Sequence, residues 1–159
     1  MNLEIEKRFI IKRLPLPESS FKEVHHIVQF YGPTGRLRNV TIIKDGKSTK
    51  KYIRTNKKSI SPGVNEEIES EISKKQFDKE LKKCTKYLFK TRFIKKVGKY
   101  KWEIDVFKNL SLIIAEVEMK TKKELKTVKL PKFMKDTLIS DITGIKCFSN
   151  FNLADQWKK

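Results

Sequence analysis

Pairs of acidic residues two positions apart recur at four places in the chain. The pairs are Glu4 and Glu6, Glu67 and Glu69, Glu103 and Asp105, and Glu116 and Glu118. Side chains alternate between the two faces of a β-strand, so each pair would share one strand face while Ile5, Ile104 and their equivalents occupy the other. Carboxylate oxygens gathered in this way can bind a hard divalent cation.

Basic residues repeat with the same spacing. The chain has 31 Lys but only six Arg, and Arg36 with Arg38 and Lys90 with Arg92 again lie two residues apart. A planar guanidinium binds phosphate or carboxylate oxygens through two parallel hydrogen bonds, whereas Lys offers only a point charge. The arginines of this lysine-rich chain are therefore candidates for a phosphate-binding site.

Strands must position these pairs, and alternating patterns indicate that most of the chain is extended. Asp45-Gly46 and Pro62-Gly63 are typical turn dipeptides between such patterns. The strands predicted from alternation cover residues 3–11, 36–45, 49–57, 65–72, 90–97, 101–107 and 112–120. The closely spaced later strands favour an antiparallel arrangement.

Three segments have helical patterns instead. A capping box at Ser20 and Glu23, followed by apolar residues at helical spacing, predicts a short helix that ends at Gly32. His25 and His26 would lie on this helix, and we interpret them as packing or capping residues. A second helix is predicted over residues 74–88, and a third, short one near residues 132–140.

Like charges on neighbouring strands repel one another unless opposite charges or cations intervene. A closed barrel resolves this conflict if the charged faces point into its interior. The carboxylates could then hold a divalent metal ion, and the bases could bind the oxygens of a polyphosphate. The apolar faces would pack outward against the helices.

Length and composition agree with one folded domain over residues 1–159. The chain carries a formal net charge of +18, and 38% of its residues are apolar, which is enough for a core. The sequence predicts no membrane span and no secretory signal, so we expect a cytoplasmic protein without a membrane partner. The charge favours an anionic partner.

Several short motifs, in a fixed order, resemble the CYTH or triphosphate tunnel metalloenzyme superfamily. The N-terminal Glu4–Phe9 segment resembles the ExExK motif of that superfamily. The resemblance continues through 36–38, 52–57, 66–69, 90–93, 102–107, 115–118 and 141–144, and so covers nearly the whole chain. It implies an α+β fold in which a closed eight-stranded antiparallel β-barrel forms a tunnel with a few flanking helices.

The resemblance also implies an activity. Members hydrolyse a triphosphate with Mg²⁺ or Mn²⁺, and the substrate here would be inorganic tripolyphosphate, a nucleoside triphosphate or an RNA 5′-triphosphate. Carried over by position, the metal-binding candidates are Glu4, Glu6, Glu67, Glu69, Asp105, Glu116 and Glu118. We expect the enzyme to be a monomer or a homodimer.

The remaining candidates are mostly bases. The resemblance assigns catalytic roles to Glu4, Glu6, Arg8 and Lys57, and phosphate binding to Arg36, Arg38, Arg54, Lys90, Arg92 and Lys146. Arg8 stands where the superfamily has Lys. Asn65 stands where Arg is usual, and Arg54 is included because it could replace that cation.

Three other functions fit parts of the same evidence. Class IV adenylyl cyclases share these motifs and make cyclic AMP from ATP. The substitutions at Arg8 and Asn65 would also fit a catalytically weakened module that binds a nucleotide or an RNA end. A nucleic-acid-binding domain could use aromatic residues among the lysines to stack on bases.

Overall fold

The computed structural model describes residues 2–157, and its main feature is a closed antiparallel β-barrel. The barrel strands are β1 (Leu3–Ile11), β2 (Glu23–Gly32), β3 (Gly35–Lys44), β4 (Lys47–Ser61), β5 (Val64–Glu71), β6 (Lys86–Val97), β7 (Tyr100–Phe107) and β8 (Ile113–Met119). Their order around the barrel is β6-β2-β3-β4-β5-β1-β8-β7, and β7 pairs back with β6. The predicted eight-stranded barrel is confirmed.

Short elements flank the barrel. The strands β9 (Leu138–Asp141) and β10 (Asp155–Gln156) extend the sheet beside β1 and β6. The α-helices are α1 (Lys74–Leu81), α2 (Glu124–Thr127) and α3 (Asn150–Leu153), and 3-10 helices occupy Glu18–Ser20, Lys132–Thr137 and Lys146–Phe148. Among residues 2–157, no helix is long and apolar enough to cross a membrane.

The helix predicted to end at Gly32 is wrong, because this segment is strand β2. Only the single 3-10 turn Glu18–Ser20 forms near the expected cap, where the Ser20 hydroxyl donates to the Pro17 carbonyl. Strand β2 pairs with β3 along its full length and with β6 on its other side. Two complete ladders outweigh a helical spacing of apolar residues, many of which are β-branched and suit a strand.

The other two predicted helices are shorter than expected. The Ser73 side chain caps α1 by accepting from the Gln76 amide, but the helix ends at Leu81 and residues 86–88 already belong to β6. Residues 132–137 form a 3-10 helix rather than an α-helix, and the chain then enters β9. Pairing with the barrel terminates both segments.

The apolar faces of the strands lie outside the charged interior, as predicted. Trp102 and Val117 pack with Phe9 beneath the segment that contains Val128 and Met134. A second cluster places Phe77 of helix α1 against Phe30, Leu37 and Cys84, and a third is formed by Leu88, Phe107, Ile114, Ile142 and Ala154. These three clusters therefore surround the barrel, and the charged side chains of the strands lie in its interior.

The turn between β4 and β5 fixes β1 through an unusually close backbone contact. The Glu6 amide donates to the Gly63 carbonyl over 2.8 Å, and Gly63 has a φ of +76°. A Cβ atom at Gly63 would lie 2.8 Å from the Glu6 carbonyl oxygen. Gly46, with a φ of +73°, has no atom within 4 Å of such a position.

Alanine at these two glycines should therefore have different effects. Gly46→Ala should lower the free energy of unfolding by about 1–2 kcal/mol, the effect of a left-handed conformation alone. Gly63→Ala should lower it by about 1–3 kcal/mol more, because the methyl group meets backbone that cannot give way. Urea unfolding of both variants measures the difference, and equal losses would contradict the close contact.

Candidate active site

A cavity of about 700 Å³ occupies the interior of the barrel, and many charged side chains line it. Twelve of the residues predicted from the sequence line this cavity. They are Glu4, Glu6, Arg8, Arg36, Arg38, Lys57, Glu67, Glu69, Arg92, Glu116, Glu118 and Lys146. The barrel therefore gathers side chains from six strands and the C-terminal segment into one site.

The two kinds of charge occupy different halves of the barrel wall. The paired acids lie on four consecutive strands, β5, β1, β8 and β7, whereas the paired bases lie on β6 and β3, with Lys57 on β4. Arg8 on β1 is a base within the acidic half. A ligand with both anionic oxygens and bound cations would match such a divided surface.

Lys57 lies between the two carboxylates of the first acidic pair. Its Nζ is 2.6 Å from Glu4 Oε2 and 3.2 Å from Glu6 Oε1. Asn65 donates to the same Glu4 oxygen over 3.1 Å. Burial, followed by the nearby Glu116 carboxylate, raises the pKa of Glu6 from its ordinary value of 4.5 to about 7 despite the ammonium group. The pair therefore carries more negative charge than Lys57 compensates.

The negative charge of Glu118 is compensated even less by neighbouring cationic side chains. It lies directly opposite Glu6 across the β1–β8 ladder, and like charges at such positions are destabilising. Burial and the carboxylates of Glu4 and Glu103 raise the pKa of Glu118 to about 7. No Lys, Arg or His nitrogen in residues 2–157 lies within 4.0 Å of it. Glu118 is thus available to bind a cation from solution.

The arginines of β3 have unsatisfied donors. Arg38 Nη2 binds Glu69, and Arg36 Nη2 lies 3.9 Å from Glu67 Oε2. The Nε atoms of both arginines and Glu67 Oε2 are buried without a hydrogen-bond partner. Burial and the neighbouring Arg36 lower the pKa of Arg38 to about 10, so it stays charged at neutral pH. Phosphate oxygens would satisfy these N–H groups.

Lys90 and Asp105, two of the predicted site residues, do not line the cavity. The Asp105 carboxylate accepts from Lys90 Nζ and Arg92 Nε, each at 2.7 Å, and from Arg92 Nη2 at 2.9 Å. Although burial opposes its charge, Arg92 and Lys90 hold the pKa of Asp105 below its ordinary value. Since its oxygens are occupied, Asp105 supports Arg92 from behind and is not placed to bind a metal ion.

Arg54 also lies outside the cavity. Its Nη1 is 2.6 Å from Glu80 Oε1 of helix α1. Because Arg54 and Lys57 are three positions apart on strand β4, they face opposite sides of the barrel wall. Arg54 therefore holds α1 against the barrel and does not replace the cation missing at Asn65.

Arg8 connects the acidic strands to the C-terminal segment. Its Nε donates to Glu116 Oε1 over 3.1 Å, and its Nη1 donates to the Phe148 carbonyl over 2.7 Å. Its Nη2 reaches Asn150 Oδ1 at 3.4 Å. All three donor groups are therefore used within the protein. Arg8 fixes Glu116 and residues 148–150, and its guanidinium group has no nitrogen left to contact a substrate.

Several residues of the lining were not predicted from the sequence. Glu103 lines the cavity and pairs with Arg92, although only its neighbour Asp105 was predicted as a ligand. His25 also lines the cavity, whereas His26 is exposed on the other face of β2. The error over β2 hid His25, since a strand pattern would have placed it on the same face as Tyr31, which lines the cavity too.

The carboxylate oxygens of the cavity suit a hard divalent cation, although the described residues form no complete metal-binding site. Within residues 2–157, no three His, Cys, Asp or Glu side chains form a ready metal-binding group. Mg²⁺ commonly binds one or two carboxylates together with substrate phosphates and water. The uncompensated oxygens of Glu118 and Glu67 can supply such ligands.

Comparisons with known proteins support this interpretation of the fold. Comparisons with protein-family models and with curated proteins found no match. The solved structure of the inorganic triphosphatase NE1496 is similar, with 21% identity, a TM-score of 0.56 and coverage of 97% of this chain and 95% of that one. The chain therefore shares the fold of that protein. The PH1819 protein from Pyrococcus horikoshii is also similar in structure, with 20% identity, a TM-score of 0.56 and coverage of 78% of this chain and 82% of that one.

Removal of the Asp105 charge should destabilise the tunnel strongly. Asp105→Asn leaves the buried Lys90 ammonium without its counterion and removes one of the carboxylates paired with Arg92, so we expect a loss of about 3–5 kcal/mol in the free energy of unfolding. Asp136→Asn, which breaks an exposed ion pair with Arg13, is the control and should lose about 1 kcal/mol or less. Urea unfolding measures both. Similar small losses would show that Asp105 is not the anchor of this network.

The crowded carboxylates should make stability depend on pH. Because the folded pKa values of Glu6 and Glu118 are near 7 and the ordinary value is 4.5, the folded protein keeps these protons longer than the unfolded chain. The free energy of unfolding should therefore fall as the pH rises from 4.5 through 7. Thermal unfolding in EDTA should show a smaller fall for Glu6→Gln, while exposed Glu18→Gln should resemble the unsubstituted protein. Equal falls in all three would contradict the raised pKa of Glu6.

Proposed function

We propose that the protein hydrolyses the terminal phosphoanhydride bond of a triphosphate bound inside the barrel, with Mg²⁺ or Mn²⁺ as cofactor. The observation that carries this proposal is the division of the cavity wall. Buried guanidinium nitrogens without acceptors lie on one side, and uncompensated carboxylates lie on the other. A triphosphate and its cation together would satisfy both.

The basic half binds and orients the phosphate chain. Arg36 and Arg38, which line the cavity, would donate to its oxygens through their guanidinium groups. Arg92, held from behind by Asp105, would stabilise the charge that develops on the leaving oxygen. Lys146 lines the cavity from the C-terminal segment and adds a point charge.

The acidic half would hold the cation through Glu4, Glu6, Glu67 and Glu118. When bound, a divalent cation neutralises phosphate charge and favours deprotonation of water. With Glu4 and Glu6 engaged in holding the cation, the Lys57 side chain would be free to turn from these carboxylates and donate a hydrogen bond to a phosphate oxygen. Glu69 and Glu116 stay paired with Arg38 and with Arg8, and they fix those guanidinium groups.

Water is the nucleophile in this reaction. Its oxygen bonds to the terminal phosphorus, the bond from phosphorus to the bridging oxygen breaks, and the proton of the water passes to a carboxylate oxygen of the acidic strands. The bridging oxygen leaves on the remaining diphosphate group. The aligned donors of the basic half stabilise the charge spread over the transferred group.

The proposed function can be tested with a phosphate-release assay on tripolyphosphate, ATP and RNA 5′-triphosphate, each with Mg²⁺ and Mn²⁺. Release of inorganic phosphate that stops on addition of EDTA is the expected result. Formation of cyclic AMP from ATP would assign the cyclase reaction instead. Tight binding of a triphosphate without any turnover would indicate a binding module.

Two arginine variants test whether the phosphates bind inside the cavity or on the outer face of the barrel. Arg36→Gln should lower kcat/KM by about 100-fold or more, because it removes donors aligned with the phosphate chain. Arg54→Gln should leave kcat/KM within about twofold, since Arg54 contacts Glu80 outside the barrel. A loss in Arg54→Gln as large as that in Arg36→Gln would place the phosphates elsewhere.

A further inference from the structure

Although many charged side chains line the cavity, one part of its lining is apolar. Four aliphatic side chains line it: Ile27, Val40, Ile42 and Ile53. Ile27 and Val40 are only 2% and 3% exposed. None of the four belongs to the three apolar clusters that form the core of the described residues. We name this group the aliphatic wall.

Strand register makes the aliphatic wall one continuous patch. Ile27 lies opposite Val40, and Ile53 lies opposite Arg38, on the strands β2, β3 and β4. Ile42 is two residues beyond Val40 on the same face of β3. The patch therefore begins beside the Arg38 guanidinium and extends along the barrel away from it.

The end of the aliphatic wall carries polar groups. His25 lies opposite Ile42, and its Nε2 is 2.9 Å from Glu23 Oε1. Lys101 and Glu103 also line the cavity there. Burial lowers the pKa of His25, which keeps its ring neutral near pH 7. An apolar surface with polar groups at one edge suits a flat heterocycle, which has apolar faces and a polar rim.

An inorganic phosphate chain has no apolar group that could contact such a surface. Ile27 and Val40 are already buried, whereas Ile42 and Ile53 are only partly buried, and their remaining exposed aliphatic area is unfavourable by about 25 cal/mol per Å². An apolar group attached to the phosphate chain would cover the wall and gain that free energy. The position next to Arg38 is where such a group would lie.

We propose that the aliphatic wall binds the base of a nucleoside triphosphate, and that the protein prefers this substrate class to inorganic tripolyphosphate. This inference rests on the proposed function, because it takes Arg36 and Arg38 as the phosphate site. The aliphatic wall sets specificity because a nucleoside triphosphate contacts it and tripolyphosphate does not. Substitutions in the wall should therefore lower kcat/KM for the nucleoside triphosphate and leave kcat/KM for tripolyphosphate unchanged.

A pair of neighbouring residues on β3 provides the test. Ile42→Thr makes the wall more polar, and Ile43→Thr changes the outward side chain next to it, which is 39% exposed. The ratio of kcat/KM for ATP to kcat/KM for tripolyphosphate should fall about tenfold in Ile42→Thr and stay unchanged in Ile43→Thr. Ile53→Thr should lower the ratio in the same direction, and a thermal unfolding curve for each variant checks the fold.

Two results would overturn the proposal. One is an unsubstituted protein with a higher kcat/KM for tripolyphosphate than for ATP. The other is an unchanged ratio in both Ile42→Thr and Ile53→Thr.

If the unsubstituted protein hydrolyses neither compound, the proposed function fails. Binding measurements then test whether the aliphatic wall is a site for the base. Calorimetric titration with Mg²⁺ then compares the β,γ-imido analogue of ATP with tripolyphosphate. Burial of the base predicts a more negative heat-capacity change for the analogue, and a loss of its affinity in Ile42→Thr that is about tenfold greater than for tripolyphosphate. Equal changes for the two ligands would overturn the aliphatic wall as a base site.

Discussion

Closure of the barrel is the constraint on which the rest of this molecule depends. In a closed sheet every second residue of each strand points inward, and here those positions carry acids on four adjacent strands and bases on three of the remaining four. Charges enclosed in this way must be paired or must find ions. Some of the pairing is internal, as between Asp105 and Arg92. The groups left over, Glu118 among them, define what the cavity can bind.

The internal pairs and the unpaired groups have different roles. Asp105, Lys90 and Arg8 use their polar atoms within the protein, and they hold the surrounding charged side chains in fixed positions. Arg36 and Arg38 line the site, and their Nε atoms are buried without acceptors. The acids and bases of the cavity largely balance, so the net charge of +18 belongs mainly to the exterior. A basic exterior raises the local concentration of anionic compounds near the cavity.

The alternation of side chains along the strands made most of this site predictable from the sequence. The errors arose where this alternation was overlooked or where it could not separate two residues on the same face. Strand β2 was mistaken for a helix because its apolar residues also fit helical spacing, and this hid His25 and Ile27 on the inner face. Arg54 could have been excluded, since its position relative to Lys57 requires the opposite face. Asp105 could not, because it shares a face with Glu103. Only the packing inside the barrel decides that Glu103 reaches the cavity and Asp105 does not.

The central claim is that this divided interior binds a triphosphate and its cation together. A crystal structure of the protein grown with tripolyphosphate and Mn²⁺ tests it directly, with anomalous scattering to locate the metal. The account predicts phosphate oxygens on Arg36 and Arg38, and an anomalous peak beside Glu6 and Glu118. Phosphate bound only to exterior lysines, with no manganese on the acidic strands, would contradict it.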